Sequence, residues 1–484
     1  MAKRNGGIIG PSNVPTGAYG GTAKGVWRLR DAFNYIKAGL WPVAGNYPVA
    51  NSLRFNSGST DNLTRTPASA GNRTTWTWSG WVKRSILGSV RILFSAGASG
   101  ANDTTLYFGN SDDKLIFFNR ISSSVTGYLE TNQLFRDVSA WYHIVAVWNS
   151  NNATAGDRMR LYVNGSEITS FATDTNPSLN ENSFINNNVA HYIGNDSSLS
   201  SSINYGGYLS EVNFIDGQAL TPSSFGLTDS ATGIWIPKPY YGTYGTNGFY
   251  LKFANSAALG TDSSGNGNTW TANNLTSVDQ STDTPTNNFA TLNPLDAGGG
   301  GSYAEGNLQY TSATSDLKAS ASSFALNNGN AGKWYWEVKM VSTTGSIYQI
   351  GTISSTSSYI TQPYSQYNSL GQVFVNGSQV ATVSTFTTGD IISASFDATT
   401  SEVKYYKNGS LVTTQTISNS NNILMFAGSH SDSSGNTATY QFNFGSPPFT
   451  IASGNADGAG FGNFEYAVPS GYYALCTKNL ATYG

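Results

Sequence analysis

The groups in this sequence that could move protons, attack a substrate or hold a metal are few and scattered. Eight glutamates are present: Glu130, Glu167, Glu181, Glu211, Glu305, Glu337, Glu402 and Glu465. None has an acidic neighbour two or four residues away, the spacing that sets two side chains on one face of a strand. Hydrolysis of a glycosidic bond uses two carboxylates about 5–9 Å apart. Glu211 and Asp216 are five residues apart, and a regular strand would turn them to opposite faces. A pair assembled across strands stays open. The three histidines, His143, His191 and His430, lie in separate motifs. His143, inside WYHIVAVW, is expected to be a satisfied histidine of a buried strand, and His430, in GSHSDSSG, a solvated loop residue. Cys476 has no second cysteine to pair with and reads as a small packed apolar group. No Cys-x-x-Cys, His-x-x-x-His or phosphate-loop pattern occurs, so metal-ion and phosphoryl chemistry have no motif to stand on. The expectation is a protein that is not an enzyme.

Aromatic side chains in Gly-rich turns are the other chemistry on offer, because a sugar ring stacks on an exposed ring while amides and hydroxyls bond its hydroxyl groups. Two stretches place tyrosines this way: PYYGTYGTNGF, with Tyr240, Tyr241 and Tyr244, and ITQPYSQYN, with Tyr364 and Tyr367. Packing of these rings into turns is the competing expectation. Trp76, Trp78, Trp141, Trp148, Trp334 and Trp336 fall on apolar strand faces and are assigned to cores.

The elements that would position these residues are almost all strands. TWTWSGWVKR, residues 75–84, alternates with period two, so Trp76, Trp78 and Gly80 share a face. RILFSAG, TLYFG, KLIFFN and WYHIVAVW follow, closed by Gly, Asn and Asp turns. RMRLYVNGSEI reads as a hairpin turning on Asn164-Gly165. A single amphipathic helix stands out in KGVWRLRDAFNYIKAGLWP, residues 24–42. There Val26, Leu29, Phe33, Ile36 and Leu40 are spaced three or four apart, with Gly39 and Pro42 to end it. Residues 1–23 read as an extended Gly- and Pro-containing arm.

With 484 residues the chain is too long for one core. Charged residues make up 11% against aromatics at 13%, so the chain has the apolar content to fold and must wet its surface with neutral hydroxyls and amides. Net charge is -3, without the basic stripe a nucleic-acid site needs, and no apolar run approaches the ~20 residues of a membrane span. The basic start MAKRNGGIIGPSN lacks an apolar stretch after it, so it is not expected to be a secretory signal. A lone cysteine suits folding in a reducing cytoplasm.

WYHIVAVWNSNNATAGDRMRLYVNGSEI and GYLSEVNFIDGQALTPSSF resemble the central strands and closing strand of laminin-G-like and pentraxin-like domains of the concanavalin A type, over residues 46–228. KWYWEVKM, TTGDIISASFDATTSEVKYYKNGSLV, YQFNFGSPPF and PSGYYALCTKNL, within 287–484, resemble four SPRY-domain motifs in order. The resemblance implies an all-β chain of two concanavalin-type sandwiches in tandem. They would be preceded by an arm and helix (1–45) and joined by a Gly/Asn/Ser-rich connector (229–286) holding one strand, GFYLKF. Laminin-G-like domains often bind calcium through loop aspartates, which here implies Asp103, Asp112, Asp113 and Asp196 as candidate ligands. DSSGNGN at 262–268 has the composition of part of an EF-hand loop but lacks the closing Glu, and Asx-turns explain it equally well.

The connector and the leader (GIIGPSNVPT, GVWRL, AGLWP) resemble those of modular phage virion proteins, especially of marine phages. That likeness implies a virion structural protein, assembled in the host cytoplasm and exposed outside. It would be a tail fibre or appendage, or a capsid-attached fibre, of homo-oligomeric form and facing host glycans. A short isolated helix is marginal in water, so its apolar stripe needs a cover: the first sandwich, a second copy of the chain, or another virion protein. In the last case Val26, Trp27, Leu29, Phe33, Ile36, Leu40 and Trp41 are the docking residues. A secreted or surface bacterial lectin-like adhesin and a glycan-degrading spike are the alternatives.

Overall fold

The computed structural model describes residues 46–109, 111–296, 301–312, 319–326, 332–344, 347–354, 365–417, 423–430 and 437–484. Within the first 45 residues it describes 15, 17–19, 23, 27, 29–38 and 40–41. The chain is all-β, with two sandwiches in tandem. The first packs two eight-stranded sheets face to face. One sheet runs Ser166–Glu167, Met159–Val163, Trp141–Asn149, Thr75–Arg84, Gly207–Asp216, Ser52–Phe55, Gln280–Ser281, with Phe249–Leu251 also paired to Gly207–Asp216. The other runs Phe171–Thr175, Ser124–Leu134, Lys114–Ile121, Asn102–Phe108, Arg91–Ser99, His191–Ile193, Asn62–Arg65, Thr271–Asn273.

The alternation of TWTWSGWVKR is realised directly. Trp76, Trp78 and Val82 enter the core between the sheets, and Trp78 lies over Gly80, where a Cβ would stand 2.7 Å from the indole. Thr77, Ser79 and Lys83 take the other face, which is also covered. The Asn164-Gly165 turn has φ of 48° and 84°, the left-handed pair that Asn-Gly tolerates. Asn408-Gly409 in the second sandwich repeats it at 46° and 80°. Asn376-Gly377 does so again, at 48° and 79°.

The second sandwich has an eight-stranded sheet. It runs Ser302–Ala304, Gln309–Thr311, Ala438–Asn443, Lys333–Thr343, Ile391–Asp397, Glu402–Lys407, Ser410–Thr416, with Tyr473–Ala474 parallel to Lys333–Thr343. The facing sheet has six strands: Ala319–Ala321, Ile423–His430, Ile347–Ser354, Ser365–Asn368, Gln372–Val375 and Ser378–Thr382.

Four expectations change. The segment 229–286 holds not one strand but four short ones among the described residues, and Phe249–Leu251, Thr271–Asn273 and Gln280–Ser281 are built into the first sandwich's sheets. Phe249, Leu251, Phe253, Leu259 and Trp270 complete its core; their isolated apolar positions among Gly, Asn and Ser were too sparse to show a period. The amphipathic helix is nine residues, Leu29–Lys37, within the 24–42 stretch where it was expected. It ends because the amides of Leu40 and Trp41 both turn back to the Tyr35 carbonyl, which leaves Leu40 beyond its end. A second helix, Thr477–Tyr483, closes the described residues and is too short to have shown a helical period. Trp141 is half-buried rather than core, and its indole N–H donates to Asp283 at 3.1 Å.

A buried polar seam joins the two sandwiches. Arg54, fully buried, sits 3.4 Å from Asp279 and 3.2 Å from Glu305, and its guanidinium also donates to the carbonyls of Val278 and Pro447. Lys83 Nζ lies 2.7 Å from both Asp283 and Asn288, and the Tyr208 hydroxyl donates to the Gly306 carbonyl.

Candidate functional site

The outer face of the first sandwich's Trp141–Asn149 sheet is roofed by residues 217–250. His143 points into that roof. The Trp235 indole N–H donates to its Nδ1 at 3.0 Å, so Nδ1 is the acceptor and Nε2–H donates to Ser79 Oγ at 2.9 Å. Trp81 and Trp235 stack on the ring. Burial pushes the imidazole down to about 3, so it stays neutral and satisfied. His191 is held alike, accepting from the Asn186 amide at Nε2, and burial pushes it down to about 4.

Beside it the roof is a layer of tyrosines. Tyr240 packs on Phe225 and edge-on against Tyr244, and Tyr244 stacks on Tyr250 and donates to Asn213 Oδ1 at 3.0 Å. Beneath them strand Gly207–Asp216 slips its register between Ser210 and Asn213. Glu211 sits in that bulge at φ 51°, a left-handed conformation costly for glutamate. Its carboxyl accepts from Tyr250 at 2.7 Å and from Tyr47 at 3.4 Å, and those two hydroxyls meet at 3.2 Å. Burial raises it to about 7, with the two tyrosine hydrogen bonds and Lys252 pulling the other way. The arm crosses the top. Tyr19 packs on Tyr47 at 5.3 Å, its amide donates to the Tyr241 hydroxyl at 3.2 Å, and Gly17 is buried against the Tyr241 ring.

Tyr240, Tyr241 and Tyr244 therefore do converge, but as a partly packed layer; of the three only Tyr241 is classed exposed, at 36%. Glu211, Tyr47 and Tyr250 complete the cluster and were missed, because the bulge that aims Glu211 at two distant tyrosines leaves no mark in local spacing. A protonated carboxyl at neutral pH can donate one proton. Among the described residues its hydrogen-bond partners are the Tyr250 and Tyr47 hydroxyls. Asp216 serves elsewhere, accepting from the Asn72 and Asn247 amides and Asn186 Nδ2.

The remaining candidates are dispersed. Tyr367 is a correction: it is fully buried, packed on Phe386 and Tyr405, with its hydroxyl donating to the Ser384 carbonyl, because its strand turns it into the second core. Tyr364 lies outside the described residues. Asp103 pairs with Arg120, Asp112 with Lys114, and Asp113 with Arg84 and Arg136. Asp196 accepts from the Ser198 amide and hydroxyl. A calcium ion asks for six to eight oxygens. These four carboxylates share no common partner, and the described residues contain no cluster of three His, Cys, Asp or Glu able to hold a metal. In 262–268 Asp262 takes the amides of Tyr250, Ser264 and Asn268, an Asx-type knot. Cys476 is buried and burial pushes its thiol up to about 11.

At the N-terminal helix Phe33 and Ile36 are 57% and 56% exposed. Trp27 packs edge-on against Tyr35 and Trp41, both at 5.4 Å, so the tryptophans clasp the helix and leave its apolar stripe uncovered at these two residues. Val26 and the Leu29 side chain lie outside the described residues.

Residues 57–224 match the laminin G family model described as the concanavalin A-like lectin/glucanases superfamily. Among curated proteins none matches the chain in sequence. In structure it is similar to the SPRY domain of human HERC1 (17% identity, 31% of this chain and 96% of that one, TM-score 0.28). It is also similar to the native heptameric SAP-like pentraxin of Limulus polyphemus (19%, 36% and 80%, TM-score 0.28) and to the TRIM65 PSpry domain (11%, 32% and 91%, TM-score 0.26). Among the described residues no helix is long and apolar enough to cross a membrane.

Proposed function

We propose that this chain is a carbohydrate-binding, non-catalytic structural protein of a phage particle, anchored through residues 1–42 and presenting its two sandwiches to host glycans. The observation that carries the binding reading is the match of residues 57–224 to a lectin/glucanase superfamily, on a sandwich whose buried carboxylates Glu211 and Asp216 are engaged by donors of the chain itself. A chain with only 11% charged residues suits recognition of neutral hydroxylated ligands. The anchoring reading is supported by the exposed Phe33 and Ile36 stripe between two tryptophans, since exposed apolar surface of this kind is used in contacts. Other virion proteins are the partners in this reading, and the chain is a homo-oligomer.

Two measurements test it. A glycan array probed with the full chain is expected to give saturable binding to neutral host polysaccharide without cleavage; release of reducing ends would replace the binding reading by a hydrolytic one. Antibody against residues 300–484, imaged on purified particles, is expected to label tail fibres or the capsid surface. Absence of label from intact particles would favour a bacterial surface adhesin instead.

A further inference from the structure

Two clefts meet along one side of the seam between the sandwiches. The larger, about 510 Å³, is formed by residues 256–261 and 269–277, with Leu259 and Trp270 in its floor. The smaller, about 220 Å³, continues from Ser256 and Ser277, which line both, to Ser446–Ile451 and Asn463 of the second sandwich. No Asp, Glu, Lys or Arg lines either one.

What lines them instead is a row of hydroxyls and amides over apolar carbon. The side chains of Asn51, Ser256, Thr269, Ser277, Thr450 and Asn463 make no hydrogen bond to the described protein and are free for a ligand. Trp270 is 3% exposed, packed on Phe249 at 4.9 Å, and its indole N–H is buried without an acceptor. A buried donor left unpaired is unfavourable, and this residue lines the cleft. The walls belong to different sandwiches but are held in register by Arg54, whose guanidinium reaches Asp279, Glu305 and the Pro447 carbonyl, and by the Ser281–Ser446 hydroxyl contact at 2.7 Å. The trough is therefore preformed, which lowers the ordering cost of binding.

We infer that this inter-sandwich trough binds a neutral oligosaccharide, a chain of two or three uncharged sugar units whose hydroxyls pair with the hydroxyl and amide lining. The absence of charged lining disfavours anionic polysaccharides, nucleotides and phosphorylated ligands, whose charge would be buried unpaired. The combined volume falls within the range of pockets that take small ligands at domain boundaries. The inference rests on the carbohydrate-binding reading above and names a place for it away from the Tyr240–Tyr244 layer.

The test is isothermal titration of the full chain with maltotriose, cellotriose and N-acetylchitotriose, with trigalacturonate as the anionic control. Ser277→Trp and Thr450→Trp fill the trough from opposite walls at exposed positions, Trp270→Phe removes the indole donor, and Tyr241→Ala alters the tyrosine layer. Wild type is expected to bind at least one neutral trisaccharide and not trigalacturonate. Ser277→Trp and Thr450→Trp should weaken that binding at least tenfold and Trp270→Phe a few-fold, with Tyr241→Ala unchanged and melting temperatures preserved. Binding that survives both trough-filling variants would overturn the trough while leaving the carbohydrate reading intact. Binding of trigalacturonate but of no neutral sugar would overturn the trough's ligand class. Binding of none of these would overturn the trough, and the glycan array decides separately on the wider reading.

Discussion

Each sandwich buries one glutamate on the outer face of a sheet, and the two are buried for different ends. Glu337, in a regularly paired part of Lys333–Thr343, accepts from the amides of Glu465 and Tyr466 at 3.0 and 2.9 Å, from Asn443 at 3.1 Å and from the Tyr335 hydroxyl at 3.1 Å. Those bonds pin the 464–466 segment onto the sheet. Among the described residues Glu211 accepts only from two tyrosine hydroxyls; it sits in a bulge at positive φ and lies under an arm reaching in from residues 17–19. Burial raises both carboxyls. The donors distinguish them: backbone amides cannot leave, so Glu337 is a rivet, whereas tyrosine side chains can rotate away. Burial of a charge-bearing group thus does not by itself mark a functional site.

The broadest way to break the comparison is to uncouple the two sandwiches. Arg54→Ala leaves Asp279 and Glu305 facing each other across the seam without their cation, and should cost on the order of 3–5 kcal/mol. Calorimetry is expected to resolve two transitions where the wild type shows one. Next, Glu337→Ala orphans two amides, an amide side chain and a hydroxyl, for at least ~3 kcal/mol, read as a lower melting temperature of the second sandwich alone.

Glu211→Gln should move stability the other way. A carboxyl whose folded value is raised to about 7 from 4.5 favours the fold while protonated. Its contribution is full below about pH 4.5 and is lost as pH rises through 7, a loss on the order of 3 kcal/mol. The glutamine variant is expected to match wild type at pH 4.5 and exceed it at pH 8 in denaturant titrations; identical pH profiles would show that Glu211 ionises freely. Trp235→Phe removes the donor to His143 and should cost about 1 kcal/mol in the first sandwich. The smallest effect is expected for Phe33→Asp with Ile36→Asp. Both side chains are exposed, so stability should change by less than ~0.5 kcal/mol, while incorporation into particles drops; unchanged incorporation would sink the docking reading of residues 1–42.

Period-two alternation, Asn-Gly turns and the lack of long helical periodicity were enough to read a chain of strands from residues alone, because strand faces and left-handed turns are local constraints; the tandem of two sandwiches came with the family resemblance. Trp76, Trp78, Trp148, Trp334 and Trp336 went to the cores as their alternation requires. The tyrosines were half legible. Ring type and Gly-rich context marked both stretches, yet Tyr367 is core and Tyr241 surface, since the direction of a strand residue depends on which sheet face is covered. What only the tertiary structure decided is what meets across distance. Glu211 finds Tyr47 from 164 residues away, Arg54 finds Pro447 from 393 residues away, and sparse apolar residues of 249–275 fill the first core. Side-chain periodicity reports the face a residue occupies within its own element. Which element lies opposite is set by sheet order and register, and those are properties of the folded chain as a whole.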